Sequence, residues 1–395
     1  MSKSNNIIEF LKGVKVEWKS LDEIANYEQP TKYLVTSTNY NDEYKTPVLT
    51  AGKTFILGYT NEIEGIYTGK NNPVIIFDDF TTANKWVNFD FKVKSSAMKI
   101  ISSADEEKYH LKYIYYWLNT LPNEKIDNDH KRQWISNYAN KKIPVPPFLV
   151  QTEIVHILDT FTELTAELTA ELTAELTARK KQYDYYRDKL LTFKENEVEW
   201  KTLGNLTLST SNIKWKETDR AYKYIDLTSV SRETKSIIET TKITASNAPS
   251  RAQKVVEEND VIFATTRPTL QRFTLIDREF SGNIASTGYC VLRANCNYIL
   301  PKWIYYSISS TRFNNYVNEN QSGTAYPSIS DAKVKQFKIP IPSLKEQARI
   351  VEILDKFDAL TNSLTEGLPR EIELRQKQYE YYRNLLLNFP KVEDK

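Results

Sequence analysis

The chain is short of the residues that metal centres, thiol chemistry and phosphate loops are built from. Its 395 residues include three histidines, two cysteines, two methionines and ten glycines. His110, His130 and His156 stand at no metal-ligand spacing, and Cys290 and Cys296 make neither a zinc site nor a disulfide framework. The glycines form no G-x-x-x-x-G-K-[ST] loop and no G-x-G-x-x-G turn, so the usual cradles for nucleotide phosphates are missing. No methyltransferase-type [DN]-P-P-[YF] run occurs, since Asn72-Pro73 continues as Val74-Ile75. No segment approaches the roughly 18 apolar residues of a membrane helix. The start, MSKSNNIIEFLKG, has no apolar signal core, which points to the cytoplasm. Charge of one sign is lacking too. Fifty-three Lys and Arg against 51 Asp and Glu leave +2, which excludes a polycationic coat but leaves room for local basic patches.

What is present is an ordinary globular composition, 40% apolar and 26% charged, with 25 tyrosines and length enough for two or three domains. It is also a duplication. KIPVP at 142–146 returns as KIPIP at 338–342, an offset of 196. At the same offset Gln151 meets Gln347, I-V-x-I-L-D at 154–159 meets 350–355, Phe161 meets Phe357, and KQYDYYRDKLLTF at 181–193 meets KQYEYYRNLLLNF at 377–389. A second echo, VEWKSL at 16–21 and VEWKTL at 198–203, has offset 182. Similar frames therefore flank two dissimilar segments. At the 182 offset Ile8 falls opposite Leu190 and Leu11 opposite Phe193, and KVE at 391–393 resembles the start of a further unit. The pattern is nearly circular and implies pseudo-two-fold symmetry.

The repeated frames read as long helices. Ile154, Ile157, Phe161, Leu164, Leu168, Leu172 and Leu176 make one apolar stripe, and Ile350, Ile353, Phe357, Leu360, Leu364, Leu368 and Ile372 make the other. Prolines before each stripe supply the breaks, and about 45 residues give a rod of roughly 65–70 Å. Each narrow stripe needs a partner, and an antiparallel pair of the two copies fits, because the segment between them can return the chain. The tract TELTAELTAELTAELTA (162–178) reads as a spacer helix, in which one tetrapeptide adds about 6 Å and 40°. Gly367 and Pro369 predict a kink or break in the second rod. Tyr183, Tyr186 and Arg187, with Tyr379, Tyr382 and Arg383, sit at equivalent rod ends, where they pack the helix pair or dock a partner.

Both globular segments read as mixed α and β. Strand-type runs are Lys53–Tyr59, Asn72–Phe77 and Trp86–Val93 in the first, with helices at 105–120 and 128–139. The second offers Tyr222–Leu227, Asp260–Thr265, Phe273–Asp277 and Tyr289–Arg293, and a helix near Pro301–Asn320. KWVNFDFKVKSSAMK carries Lys85, Lys92 and Lys94 among aromatics, and Arg132 lies on the later helical stretch. SRAQK and TTRPTLQR place Arg251, Lys254, Arg267 and Arg272 beside hydroxyls. Such groups suit phosphates and guanine edges. A solvated charged face is the alternative for either patch alone; two patches in two duplicated segments favour nucleic acid. Glu17-x-Lys19 and Glu199-x-Lys201 match half of a nuclease metal site but read better as strand edges. Asp78-Asp79 could hold Mg²⁺, although a turn after PVIIF is the commoner use. No catalytic residue and no metal site emerges.

Two variable segments alternating with two repeated helices, with I-P-x-P-x4-Q-x-x-I-V at each junction, resemble the specificity subunit of Type I restriction-modification enzymes. The residues that carry the resemblance are Pro144, Pro146, Gln151, Ile154 and Val155, then Pro340, Pro342, Gln347, Ile350 and Val351, and the TAEL tract. AGKTFILGYTNEIEGIY, DDFTTANKWVNFDFKVKSSAMKI and SGTAYPSISDAKVKQFKIPIP also look like target-recognition domains of that family. The resemblance implies an α+β fold in which two target-recognition domains are separated by two long antiparallel helices forming a coiled coil. The expected layout is domain 1 at 1–147, spacer helix 1 at 148–193, domain 2 at 194–342, spacer helix 2 at 343–389 and a tail at 390–395. It further implies that each domain reads half of a bipartite double-stranded DNA target, while the helices set the spacer and dock two methylation subunits. S-adenosylmethionine, ATP and Mg²⁺ would belong to the methylation and restriction-translocase subunits, with no cofactor in this chain. A self-contained nuclease or methyltransferase, and a DNA-free coiled-coil scaffold, are the competing readings. One departure stands at the first junction, where Pro146-Pro147-Phe148-Leu149-Val150 replaces the Pro342-Ser343-Leu344-Lys345-Glu346 type.

Overall fold

The echoed VEWK and KIP segments find each other in space. In the first copy β1 (Glu17–Ser20) pairs antiparallel with a strand at Lys142–Val145, setting Trp18 opposite Pro144. The second copy repeats the register: Glu199–Thr202 pairs with Lys338–Ile341, setting Trp200 opposite Pro340. The computed structural model describes residues 9–50, 54–122, 132–194, 196–362 and 367–390. Two compact units divide the chain, Met1–Leu168 with Arg375–Lys395, and Thr169–Leu374. Ile8 and 391–393, on which part of the circular pattern rests, lie outside the described residues.

In the first unit a four-stranded antiparallel sheet runs in the order β2 (Ala25–Glu28), β8 (Met98–Ser103), β5 (Val74–Asp78), β6 (Asn84–Val87). A second sheet runs β4 (Ile56–Thr60), β3 (Thr46–Leu49), β7 (Lys92–Val93), with β3 and β7 parallel. PVIIF reads as a continuous apolar run because β5 is buried on both faces. Side chains alternate across a strand, so Ile75 and Phe77 join the core of Tyr113, Trp134, Ile143 and Ile154. Val74 and Ile76 join that of Leu49, Val87, Phe91 and Val93. The run expected as one strand, Trp86–Val93, is two, because β6 stays in the four-stranded sheet while β7 crosses to the other.

With the strand at Lys142–Val145 as β9 and that at Glu199–Thr202 as β10, the second unit repeats this plan. Its four-stranded sheet is β11 (Thr207–Leu208), β18 (Tyr289–Ala294), β15 (Val261–Ala264), β16 (Phe273–Leu275). The other sheet is β13 (Thr241–Ile243), β12 (Tyr222–Ile225), β17 (Asn283–Ser286), β14 (Ala252–Val256), with β12 and β17 parallel. The chain returns to its ribbon through β19 (Lys338–Ile341). Val261 and Phe263 face one core and Ile262 and Ala264 the other, the same two-sided use of a central strand. The strand order of one unit maps onto the other, apart from the extra edge strand β14.

The helices of eight or more residues among those described are α1 (Leu111–Leu118), α2 (Phe148–Leu190), α3 (Pro301–Ser309), α4 (Thr311–Asn320), α5 (Leu344–Asn362) and α6 (Gly367–Leu387). Within the first unit Phe161 packs on Tyr382 with ring centroids 5.5 Å apart, and Thr162 Oγ1 donates to Tyr379 Oη at 3.1 Å. Within the second unit Tyr186 stacks on Phe357 at 5.9 Å. In the first unit the partner number falls as the chain number rises, the signature of antiparallel helices. The helix expected near 301–320 is divided at Ser310, which is extended and whose side chain accepts from Phe313 N–H as an N-cap. The second rod ends one helix at Asn362 and begins the next at Gly367, whose φ of +77° is left-handed. A Cβ there would meet the Ala359 and Leu360 carbonyls at 2.6 Å, so glycine is required. Pro369 then falls in a first helical turn, where its missing N–H costs nothing.

Candidate nucleic-acid interface

Each unit builds the same joint at the neighbouring ends of the two central strands of its four-stranded sheet, where β5 and β15 end and β8 and β18 begin. In the first unit Asp79 N–H donates to the Ala97 carbonyl (3.1 Å), and its own carbonyl accepts from Gln133 N–H (2.9 Å). In the second, Thr265 N–H donates to the Gly288 carbonyl (2.7 Å), and its carbonyl accepts from Ile329 N–H (2.9 Å). Three loops thus meet at one point in either unit. Cations lie on the loops that meet there, Lys94 and Arg132 on those of the Asp79 joint, and Arg251 and Arg267 on those of the Thr265 joint. All four are exposed. Arg251 is tied in through its carbonyl, which accepts from Thr287 N–H at 2.8 Å.

The acidic residues of the first joint hold it closed. Asp78 Oδ1 accepts from Phe80 N–H (2.9 Å), and its other oxygen accepts from the Thr81 hydroxyl. Asp79 is buried, accepts from Trp134 N–H at 2.8 Å and faces the fully buried Lys99 ammonium at 3.4 Å. The pair considered for Mg²⁺ therefore forms a turn. Among the described residues no group of three or more His, Cys, Asp or Glu is placed to hold a metal ion. Glu17 and Lys19 pair with each other at 3.1 Å on the ribbon, as Glu199 and Lys201 do at 2.9 Å.

The second joint carries backbone strain. Arg267 (φ +47°) and Gln271 (φ +50°) flank the 3-10 turn Pro268–Leu270 in a left-handed conformation that non-glycine residues avoid, at a cost of about 1–3 kcal/mol each. Arg267 is kept there by its N–H on the Pro327 carbonyl (2.7 Å), with its guanidinium 4.9 Å from the ring of Tyr326. Tyr326 is 71% exposed. An arginine stacked on an exposed tyrosine, at the tip of a strained turn, is set to contact something outside the protein.

The remaining sequence candidates are placed differently. Lys85 is exposed on the edge strand β6, opposite Ile76. Lys92 is buried, bonded to Glu62 at 2.9 Å and to the Glu64 carbonyl at 2.6 Å. Lys254 bonds to Asp331 and to the Tyr289 carbonyl, both at 2.5 Å, and Arg272 to the Val230 carbonyl. These three cations are engaged within the protein, because each sits where a strand or turn leaves a carboxylate or carbonyl to satisfy. Of the rod-end residues, Tyr183 and Arg187 are buried, with Arg187 bonded to Asp184 (2.7 Å) and Asp188 (3.0 Å) and 5.4 Å from the Tyr183 ring. Tyr186, Tyr379 and Tyr382 pack within their own units, and Arg383 lies 5.9 Å from Tyr379. The most exposed tyrosines of the clusters are Tyr185 and Tyr381, 61% and 56% accessible and 196 residues apart. Sequence reasoning singled out neither Tyr326 nor Lys235 (below). An exposed aromatic in a Gly-, Ser- and Pro-rich stretch would have flagged the former; nothing local flags the latter.

Comparison with known proteins identifies the family. A family model described as Type I restriction modification DNA specificity domain matches twice, over residues 14–178 and 196–374. The Type I restriction enzyme EcoR124I/EcoR124II specificity subunit of Escherichia coli is 50% identical over 415 residues, covering 100% of this chain and 99% of that protein. A type I restriction enzyme specificity subunit of Haemophilus influenzae is 32% identical, covering 96% and 97%. Among solved structures, the type I restriction-modification S subunit from M. genitalium aligns over 96% of this chain and 98% of that one, at 16% identity and a TM-score of 0.49.

Proposed function

Since the chain belongs to the type I restriction-modification DNA specificity family and is a specificity subunit, we propose that its two joints are the DNA readers, one for each half of a bipartite target. The observation that carries this is the joint itself: the same three-loop hydrogen-bonded point is built twice, with exposed cations around it each time and different side chains at its tip. A part that must do the same task on different sequences needs that combination. Lys94, Arg132 and Lys85 in the first reader, and Arg251 and Arg267 in the second, are assigned to DNA. Lysines would neutralise phosphates and supply salt-dependent affinity, while arginines discriminate base edges. Lys92, Lys254 and Arg272 support the loops from within. Residues 1–147 and 194–342 are assigned as the target-recognition domains, 148–193 and 343–389 as spacer helices and 390–395 as a tail.

The chemistry is assigned to partners. Two methylation subunits carrying S-adenosylmethionine, and restriction-translocase subunits using ATP and Mg²⁺, would act at the site this chain selects in the cytoplasm. Tyr185 and Tyr381, alike in position and exposure, are the rod-end residues best placed to dock two copies of one partner. No helix among the described residues is long and apolar enough to cross a membrane.

The test is methylation-pattern sequencing of cells that express the subunit with its methylation partners. A bipartite target is expected, and binding to a duplex carrying it should weaken steeply with salt. Removing Thr169–Leu172, one TAEL unit, should shorten the permitted spacer and leave both half-sites as they were. Altered half-site bases would remove the spacer role from the tract. Methylation or cleavage by the isolated chain would overturn the assignment of chemistry to partners.

A further inference from the structure

Strain in this protein is concentrated. Among the described residues five non-glycine positions have positive φ, and three of them, Lys235, Arg267 and Gln271, meet in one place in the second unit. Lys235 (φ +54°) lies in a tightly bonded turn: Ser231 N–H donates to the Ser236 carbonyl (2.9 Å), the Ser231 hydroxyl accepts from Glu233 and Thr234 N–H, and Val230 bridges to Ile237. From that turn its ammonium reaches the Gln271 carbonyl at 2.5 Å and sits 4.6 Å from the Phe273 ring. Arg272 returns the bond by donating to the Val230 carbonyl. Two cations, one from each loop, thus each bond to a carbonyl of the other loop. The loop they hold is the one that carries Arg267. Gln271 is further fixed by its side chain on the Pro268 carbonyl (3.3 Å) and Asn314 Oδ1 (3.2 Å).

The Lys235 side chain looks into a cleft of about 400 Å³ lined by Arg187, Arg232, Glu233 and Asp358 among others. Burial comes first in lowering its pKa to about 8; Arg232, Arg272 and Arg187 push the same way, and Glu233 opposes them. Lys180 and Asp184 of α2 face the same cleft. A lysine this enclosed contributes little to a phosphate outside. Its position makes sense as a brace.

We infer that Lys235 is a positioning residue of the second reader: by holding the Gln271 carbonyl it fixes the left-handed turn that presents Arg267, so recognition of the second half-site depends on a side chain that touches no DNA. The inference rests on the assignment of Arg267 to DNA made above. Substituting Lys235 therefore loosens selectivity at the second half-site, leaves the first unchanged, and leaves the salt dependence of binding unchanged because no phosphate contact is lost.

The experiment uses the methylation complex assembled with its partner subunits. The probe is a duplex bearing the target read from the methylation pattern, together with single base-pair substitutions in each half. Lys235→Met is expected to lose about five- to tenfold discrimination at the second half-site and less than twofold at the first, with an unchanged slope of log affinity against log salt. Lys235→Arg, which keeps the cation, should recover most of the loss. The wild type should lose part of its second-half discrimination between pH 7 and 9 as the ammonium deprotonates, and Lys235→Arg should not. Should Lys235→Met fail to fold, the Lys235→Arg complex and the wild-type pH series decide the matter. Equal discrimination in all three complexes with no pH effect overturns the inference, as does a salt slope reduced by about one, which would make Lys235 a phosphate contact. If the wild-type complex itself shows no half-site discrimination, the reading of the joints fails instead, and the two failures are told apart.

Discussion

The frame that encloses each unit and the sheet that lies farthest from it have been kept to different degrees, and the contrast separates what the two halves share from what they do not. In the frame, corresponding polar groups make corresponding bonds. Gln151 is buried, donates to the Lys108 and Pro146 carbonyls (2.9 and 2.8 Å) and accepts from His110 N–H (2.9 Å). Gln347 is buried too, donating to Tyr298 and Pro342 (3.0 Å each) and accepting from Leu300 N–H (2.9 Å). Asp159 takes Lys112 and Tyr116, and Asp355 takes Lys302 and Tyr306. In the outlying sheets the counterparts diverge: three strands and a buried Lys92–Glu62 pair on one side, four strands and a Lys254–Asp331 pair on the other. Whatever both halves must do alike belongs to the frame, and whatever distinguishes them belongs to the outlying sheet and the turn tips.

The largest expected effect tests the sameness of the frame. Gln151→Ala and Gln347→Ala each remove three hydrogen bonds to the backbone, one of them buried, at about 3 kcal/mol, or roughly a hundredfold in local opening. Amide exchange in α1 and α3 should accelerate by similar factors in the two variants. A tenfold mismatch would mean that the two clamps are alike in geometry but not in energy. The next effect tests the difference. Arg267→Ala should cost about 1–3 kcal/mol of discrimination at one base pair of the second half-site only, and Arg132→Ala should act on the first half-site only. Binding to duplexes varied one base pair at a time reads this directly; loss spread over both halves would contradict separate readers.

The frame was legible in the sequence because its constraints are strict. A strand register, an apolar helix stripe and a buried glutamine each fix residue type and spacing, so duplication left matching letters at offsets of 182 and 196. The common topology of the sheets was not legible. β5 and β15 occupy one place with PVIIF and VIFA, since a strand buried on both faces asks only for apolar residues of suitable size. Short edge strands such as β11, β13 and β7 carry too few residues to show a period. The basic clusters marked loops that meet at the two joints without saying which cations face outward. Lys92 and Lys94 are two residues apart and so lie on one side of an ideal strand, yet β7 ends at Val93, leaving Lys92 buried on Glu62 and Lys94 in solvent. Only the fold decides that.

A smaller effect concerns the triads. Asp159→Asn and Asp355→Asn each weaken a charge-assisted bond to lysine and tyrosine at a partly exposed carboxylate, at about 1 kcal/mol. Burial and the neighbouring carboxylate hold the Tyr116 and Tyr306 hydroxyls well above the usual phenol range, so both variants should lower the corresponding ionisation in an ultraviolet titration. One shifting without the other would show that the frame's two copies have begun to drift.

The smallest effect is absent at neutral pH and appears only in acid, in the outlying sheet of the first unit. Burial alone would raise the Glu62 carboxyl, but Ser37 N–H, the Lys92 ammonium, and the Thr36 hydroxyl and N–H outweigh it and bring the pKa down to about 2. In the unfolded chain the group titrates near 4.5. Between those values the unfolded state binds the extra proton, so the stabilisation is complete above pH 4.5 and is lost as pH falls towards 2. Protonation also leaves the Lys92 cation buried against a neutral acid, which favours opening of β3 and β7. Amide exchange followed from pH 5 to pH 3 should therefore show these strands opening before the Lys142–Val145 ribbon, whose own depressed carboxylate, Glu23 on Ser20 and Lys142, is exposed and strands no buried cation when protonated. Simultaneous opening would mean that frame and outlying sheet unfold as one unit, and that the division drawn between them is one of sequence alone.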